Sequence, residues 1–500
     1  MAKVDFKNSN TQTVLLAFLA AALGVGAKLA LTGGELLPGI DGAYYWVQVR
    51  SILDDFTLAF DDLPLVFWAQ SLIALVVGDI PLGVRIADAL LPAISAIPIF
   101  LILRKSKFVW LPAVAILVVL LHPIQLYFFT GDFLKNSAAI PVVFFIGWIL
   151  YNWENASKKR STIYLLICFL VLGLSHFGTL LMALLLVFIW LVIQLRKKSL
   201  RFWLVSIGIS LGTAGLVLIG LAVLVPARFT RLIEFVSQPD TVFANPAWQM
   251  IFGGRTDYPM IFSIVTGQLG ALALAILAYK SRKNFSGSHV SLVAASLATA
   301  LILSSPLIGM EWAQRLIALS FVPLFLAAMV IWNSAPKLAS KAVISTLAIS
   351  SLVLSGIFGL LGIKQSMISN TQYQDLVKFA KEFDVPENSI VVAPHGIEFL
   401  VAWHERTNVL QDSSYTDEDL SSYDHVYYLA STGEKKDGFA PPPGGVKPDG
   451  PMPSGPPPGG MKPDGPKPSG PMPGGSDKGK TEITGEQVYK NDSYTLKLVR

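Results

Sequence analysis

The chain has 500 residues, 53% of them hydrophobic and only 15% charged, with a mean hydropathy of +0.55. A soluble domain is about a quarter charged, so this composition excludes an ordinary soluble fold and marks a multispanning membrane protein. The net charge of +5 does not mark a nucleic-acid binder, because Lys and Arg stand in short clusters between apolar runs, and the single cysteine, Cys168, excludes an internal disulfide or a Cys-ligated zinc site within one chain.

A helix needs about 20 apolar residues to cross the hydrocarbon. Runs near that length lie at about 12–32, 82–103, 108–128, 137–152, 162–176, 178–195, 203–225, 260–279, 288–305, 316–333 and 342–363, or about 11 spans. The first is too long for a signal-peptide core and has no evident cleavage site, so it reads as a retained span. The shorter run at 64–78, PLVFWAQSLIALVVG, fits an interfacial or re-entrant helix. With that run left out, Lys3/Lys7, Arg104/Lys105/Lys107, Lys158/Lys159/Arg160, Arg196/Lys197/Lys198/Arg201, Lys280/Arg282/Lys283 and Lys337/Lys341 all fall on one side. Cytoplasmic loops collect Lys and Arg, so the expectation is a multi-pass protein of the cytoplasmic membrane with its N-terminus inside and its C-terminus outside. Two long outer loops follow from this, at about 33–81 and 226–259, the first of them acidic. Lys28, near the outer end of the first span, reads as a snorkelling residue.

The period changes after residue 363. NTQYQDLVKFAKEF reads as an amphipathic helix, SIVVAP as a strand, GIEFLVAWHER as a helix and TNVLQ as a strand; HVYYLAS and QVYKNDSYTLKLV add strands, the last a hairpin around Asn491-Asp492. The expected fold is therefore an all-α polytopic membrane domain over 1–363, with a small α/β exterior domain over 364–500. Within the latter, a Pro/Gly tract at about 440–480 repeats itself once, as GVKPDGPMPSGPPPG and GMKPDGPKPSGPMPG, and its glycine spacing is not that of collagen, which leaves a solvated insert. His395 and His404 are too far apart for a metal motif and read as surface or packing residues.

The segment PGIDGAYYWVQVRSILDDFTLAFDDLPLVFW, residues 38–68, combines an acid (Asp41), an aromatic pair (Tyr44, Tyr45), a basic residue (Arg50) and an apolar helix. It resembles the first outer loop of the GT-C superfamily of integral-membrane glycosyltransferases, nearest to the protein O-mannosyltransferase and aminoarabinose-transferase branch and more distantly to the oligosaccharyltransferase catalytic subunit. That branch carries Asp-Glu-x-Tyr-Tyr, whereas here Gly42 takes the place of the second acid. The Trp-Trp-Asp motif of oligosaccharyltransferases is missing, since Trp403 stands alone in VAWHERT. Arg85 at the start of the second span, and Asp132 in HPIQLYFFTGDFLKN after the third, extend the likeness.

The resemblance implies transfer of a sugar from a polyprenyl-phosphate donor to an acceptor at the outer face of the membrane. Such chemistry needs a base for the acceptor hydroxyl and positive charge for the departing phosphate. Asp41 is the candidate base and Asp132 its assistant; alternatively the two hold a divalent cation, Mg or Mn. Tyr44, Tyr45 and Arg50 are candidates for substrate contact, and Lys135, Arg255 and Arg315 for the phosphate. Plainer roles stand beside these: a turn cap for Asp41, a helix N-cap for Asp132, snorkelling for Lys135 and an i,i+4 pair with Glu311 for Arg315. A non-catalytic glycosyltransferase-like subunit of a cell-envelope complex is the alternative function. A lipid or solute transporter is another, although the internal repeats or paired broken helices usual in transporters are not seen.

Overall fold

The computed structural model describes residues 6–500 apart from 35, 37, 132, 335–337, 362–365, 413–416 and 433–484; between 196 and 257 it describes 242–249 and scattered positions. The expected span at 203–225, most of the loop at 226–259 and the Pro/Gly tract thus lie outside the described residues. The chain divides into two compact units, Met1–Gly39 with Asp62–Gln365, and Ile40–Asp61 with Ser366–Arg500. Residues 40–61, grouped with the membrane region on sequence, are thereby counted with the C-terminal unit, because the helix they form packs on one from that unit.

The first unit is helical. Its described helices are α1 (Phe6–Leu31), α3 (Leu65–Val77), α4 (Ile80–Ala93), α5 (Ala96–Leu103), α6 (Leu111–Leu120), α7 (Pro123–Thr130), α8 (Leu134–Tyr151), α9 (Lys158–Ser175) and α10 (Phe177–Leu195), then α11 (Tyr258–Ser281), α12 (Gly287–Leu303), α13 (Met310–Leu319), α14 (Phe321–Ser334) and α15 (Leu338–Leu361). Among the described residues six helices are long and apolar enough to cross a membrane, or seven if one bent pair is a single span. That pair is α6 and α7, bent by 40°. The run at 108–128 is therefore not one straight helix. Pro123 has no N–H to continue the ladder and pushes His122 to an extended ψ of 138°, while His122 Nδ1 accepts the Ile124 N–H and starts α7 afresh. Three expected spans are not among these six or seven: α9 opens on three basic residues, α12 has only 17 residues, and the apolar stretch described within the 342–363 run is the short Lys341–Leu354.

The 64–78 run is the 13-residue helix α3, too short to span. Gly78 ends it at φ +77, a left-handed cap that suits glycine, and Asp79 then accepts the Leu82 N–H at 2.7 Å to begin α4, which packs closely on α3. One side of α3 buries Val66, Phe67, Gln70, Ser71 and Ala74, while Leu72, Leu75 and Val76 are exposed. An apolar outer face is what lipid tolerates and water does not. The same reversal runs through the unit: Ile140, Val143, Phe144, Leu319, Val322 and Leu326 are buried, whereas Phe18, Leu23, Leu170 and Phe188 are exposed.

The second unit is an α/β layer plus α2 (Gly42–Asp55). In chain order it continues with α16 (Asn370–Glu382), β1 (Ser389–Ala393), α17 (Ile397–Glu405), β2 (Asn408–Gln411), α18 (Asp417–Leu420), β3 (His425–Ser431), β4 (Glu486–Lys490) and β5 (Tyr494–Leu498). Each begins where its residues direct. Ser369 and Gln372 form a reciprocal capping box at α16. The run SIVVA is buried along its whole length, as a strand covered on both faces must be. The sheet order is β2-β1-β3-β5-β4, with β1 parallel to β2 and β3, and with β5 antiparallel to β3 and β4. Its core includes Ile390, Val392 and Val426, and Val391, Leu429 and Leu496 are also fully buried.

Candidate functional site

The second unit places its chemistry at the carboxyl ends of parallel strands. From β1 the chain runs through α17 to β2 on one side, while beyond β3 the neighbours are β5 and β4 on the other. In open α/β sheets, the place where connections part to opposite sides is where ligands commonly sit. His395 follows β1 by two residues, and Asp412 follows β2 directly, its N–H bonded to Ala393 O at 2.9 Å.

His395 Nδ1 lies 3.0 Å from Glu398 Oε1, with the two side chains 32% and 4% exposed. Burial disfavours charge on both groups. For His395, the hydrogen bond and charge of Glu398, joined by Asp41 and Asp412, outweigh burial and raise its proton affinity above that of an ordinary imidazole. For Glu398, burial raises the pKa, His395 opposes the rise and Asp41 adds to it. The other Glu398 oxygen, Oε2, is buried without a hydrogen-bond partner. Sequence reasoning alone reads His395 as a surface or packing residue. The available signal was local: a polar residue just after a buried strand, then a glycine, then Glu at i+3.

Asp41 immediately precedes α2, and its carboxylate makes no capping bond to that helix. Instead it acts on His395 and Glu398 through its charge. Gly396 holds the two segments together: its φ is +89, and a Cβ there would run into Met367 and Ile40, the residue before Asp41.

Tyr44, one turn after Asp41, stacks on Phe60 at 5.7 Å and meets Phe399 edge-on at 5.1 Å. Buried Gln48 fixes this arrangement by donating to Phe60 O at 2.8 Å and to Tyr44 OH at 3.0 Å, and by accepting the Phe60 N–H at 3.1 Å. Tyr45 is buried beneath, edge-on to Tyr44 at 5.6 Å. Arg50 faces the other end of α17, where it donates to Ala402 O at 2.8 Å and Trp403 O at 2.5 Å and lies 5.0 Å from the Trp403 ring centre. The last carbonyls of a helix have no partner within it, so Arg50 closes α17 from outside.

In the first unit, Lys135 at the start of α8 is paired with Asp62 and lies over the Phe67 ring at 5.4 Å; the two charged side chains are 19% and 2% exposed. Lys28 does not snorkel to water: it is fully buried, 5.6 Å from the Phe129 ring centre. Asp132, Arg255 and the Arg315 side chain lie outside the described residues. Among the described residues, no group of three or more His, Cys, Asp or Glu side chains is placed to hold a metal ion. The structure thus packs the segment that carries Asp41 against Gly396, sets the charge of Asp41 on His395 and Glu398, puts Tyr44 against Phe60 and Phe399, and gives Arg50 and Lys135 partners of their own.

No protein-family model matches the chain, and no match is found among curated proteins. Among solved structures, the chain is similar to the Archaeoglobus fulgidus oligosaccharyltransferase, crystallised with Zn and sulfate, at 13% identity and a TM-score of 0.49, over 83% of this chain and 67% of that one. It is similar also to ArnT from Cupriavidus metallidurans in the apo state, at 13% identity and a TM-score of 0.49, over 80% of this chain and 86% of that one.

Proposed function

We propose that this multi-pass membrane protein is a glycosyltransferase that moves a sugar from a polyprenyl-phosphate carrier to an acceptor hydroxyl on the outer face of the cytoplasmic membrane, its N-terminus inside and its C-terminus outside. The observation that carries this reading is the surroundings of Asp41. The acid of the first-loop pattern makes no cap bond to its helix, its charge acts on an imidazole–carboxylate pair, its neighbour Ile40 packs on Gly396 beside that pair, and it is one turn from the aromatic cluster of Tyr44, Phe60 and Phe399. A carboxylate removes the proton of a hydroxyl as it attacks, and aromatic faces suit the apolar faces of sugar rings. Lys135, neutralised by Asp62 in the first unit, is a weaker candidate for the phosphate than Arg255 or Arg315.

The test is sugar transfer by the purified full chain from polyprenyl-phosphate mannose, glucose and arabinose, read as product formed on added hydroxyl acceptors and as free sugar released to water. Asp41→Asn keeps the size of the side chain and removes its basicity, so transfer falls on the order of 10² to 10⁴-fold while donor binding changes little. Equal rates for wild type and Asp41→Asn would remove Asp41 from the mechanism. Running the assay with Mg, with Mn and with a chelator reads whether a divalent cation takes part.

A further inference from the structure

Glu398 is an expensive residue in its position. It is 4% exposed, one oxygen meets the imidazole, its own backbone N–H is the other donor that acts on it, and Oε2 has no hydrogen-bond partner. A buried carboxylate short of donors costs more than a glutamine or an apolar side chain of that size would, even at the first turn of a helix, where the backbone favours negative charge. A surface His–Glu pair three residues apart would need no explanation, but one whose carboxylate is buried just after a parallel strand does. Nδ1 is engaged by Glu398, so the ring presents Nε2 as its second functional atom, and a third of the side chain is open. A carboxylate bonded to one imidazole nitrogen orients the ring and stabilises the imidazolium formed when the other nitrogen takes a proton. The charged groups acting on His395 are Glu398 in the first turn of α17, Asp41 ahead of α2 and Asp412 after β2, and Gly396, next to His395, packs against Ile40, next to Asp41.

We propose that His395, held by Glu398, is the positioning residue of Asp41: it orients the carboxylate and relieves it of the proton taken from the acceptor. The proposal rests on the sugar-transfer reading above. The acceptor oxygen bonds to the anomeric carbon of the sugar as the bond from that carbon to the phosphate oxygen breaks, and the electron pair leaves with the phosphate. The hydroxyl proton passes to an Asp41 oxygen and then, directly or through one water, to Nε2 of His395. Glu398 faces the resulting positive charge through Nδ1–H, and the proton leaves to solvent from the open edge of the ring. Asp41 is a carboxylate again for the next turnover.

The experiment is the rate–pH profile of the full chain with the same three donors, from about pH 5 to about pH 9. His395→Ala should lower kcat on the order of 10²-fold with KM little changed, and should lose the fall in rate that protonation of the imidazole causes on the acid side. Added imidazole should restore part of the rate to His395→Ala, which a structural defect would not allow. Glu398→Gln removes the group that strengthens proton binding at His395, so the acid-side fall should move to lower pH. Should His395→Ala not remain monodisperse in detergent, His395→Asn carries the pH test in its place. A His395 variant with the wild-type rate and profile, or one whose loss is uniform in pH and unrescued by imidazole, overturns the inference. If Asp41→Asn is dead while His395→Ala is intact, the sugar-transfer reading survives and this inference does not. A wild type that neither transfers nor hydrolyses any donor removes both.

Discussion

Buried charge is handled in two ways in this molecule. In the first unit Asp62 is matched by the ammonium of Lys135, which lies over the Phe67 ring. In the second unit Glu398 is matched by His395, whose charge depends on its surroundings, while the permanent cation Arg50 is turned onto helix carbonyls. A fixed pair holds helices together and can do little else. A conditional pair can gain and lose a proton, and this one feels the charge of the acid that the first-loop pattern singles out. The contrast teaches that where charge is buried tells less about function than whether its partner can change state.

The comparison breaks most visibly at the fixed pair. Asp62→Asn leaves Lys135 without its counter-charge and should cost about 3 kcal/mol of stability, seen as a lower midpoint on SDS or thermal unfolding in detergent. Replacing both partners by apolar residues, Asp62→Leu with Lys135→Met, should recover most of it, as expected of a pair whose work is structural. Arg50→Ala comes next, at about 2 kcal/mol, because the Ala402 and Trp403 carbonyls lose their donors. Arg50→Lys should recover less than half, since one ammonium cannot reproduce the fork. Ser369→Ala removes the capping box of α16 and should lower the unfolding midpoint of the second unit by an amount corresponding to about 1 kcal/mol.

The smallest effect sharpens the comparison rather than breaking it. Burial raises the Glu405 pKa to about 7, with Asp384 adding to the rise and a backbone hydrogen bond at Val385 opposing it. A carboxyl whose folded value lies above its unfolded one stabilises the fold below the unfolded value and loses that contribution as pH rises through the folded one. The second unit should therefore lose a little stability between the ordinary carboxylate range and about pH 7. Glu405→Gln should flatten that slope in thermal melts without changing the transfer rate.

How much of this was legible in the sequence differs between the units for physical reasons. In the second unit each element carries its own signal, so α16, β1, α17, β2, β3 and the β4–β5 hairpin stand where period and capping put them. The grouping of residues 40–61 with that unit was not legible, because it depends on contacts between segments some 350 residues apart, such as Arg50 with Trp403. His395 was undervalued for the same reason: its local sequence shows a polar residue after a strand, and only the fold supplies Asp41 and Asp412. In the first unit hydropathy located the apolar runs but not their breaks. The bend before Pro123 was there to be read in the proline, whereas the full burial of Lys28 was not, since a lysine near a span end has the same local sequence whether it reaches water or not.

The second unit is written in the gene as two separated pieces, Ile40–Asp61 and Ser366–Arg500. Truncation before residue 366 is consequently not the deletion of a domain: it would strip α2 of the helix that packs on it and leave Trp46, 1% exposed in the intact protein, without the Trp403 ring that it meets edge-on. Nor is a fragment beginning at 366 a complete folding unit, because it would lack the donor that closes α17. A self-sufficient version would have to splice 40–61 ahead of 366–500. In evolution, too, an exchange of this tail between related proteins would have to carry the first-loop segment with it, which ties the inheritance of Asp41 to that of His395.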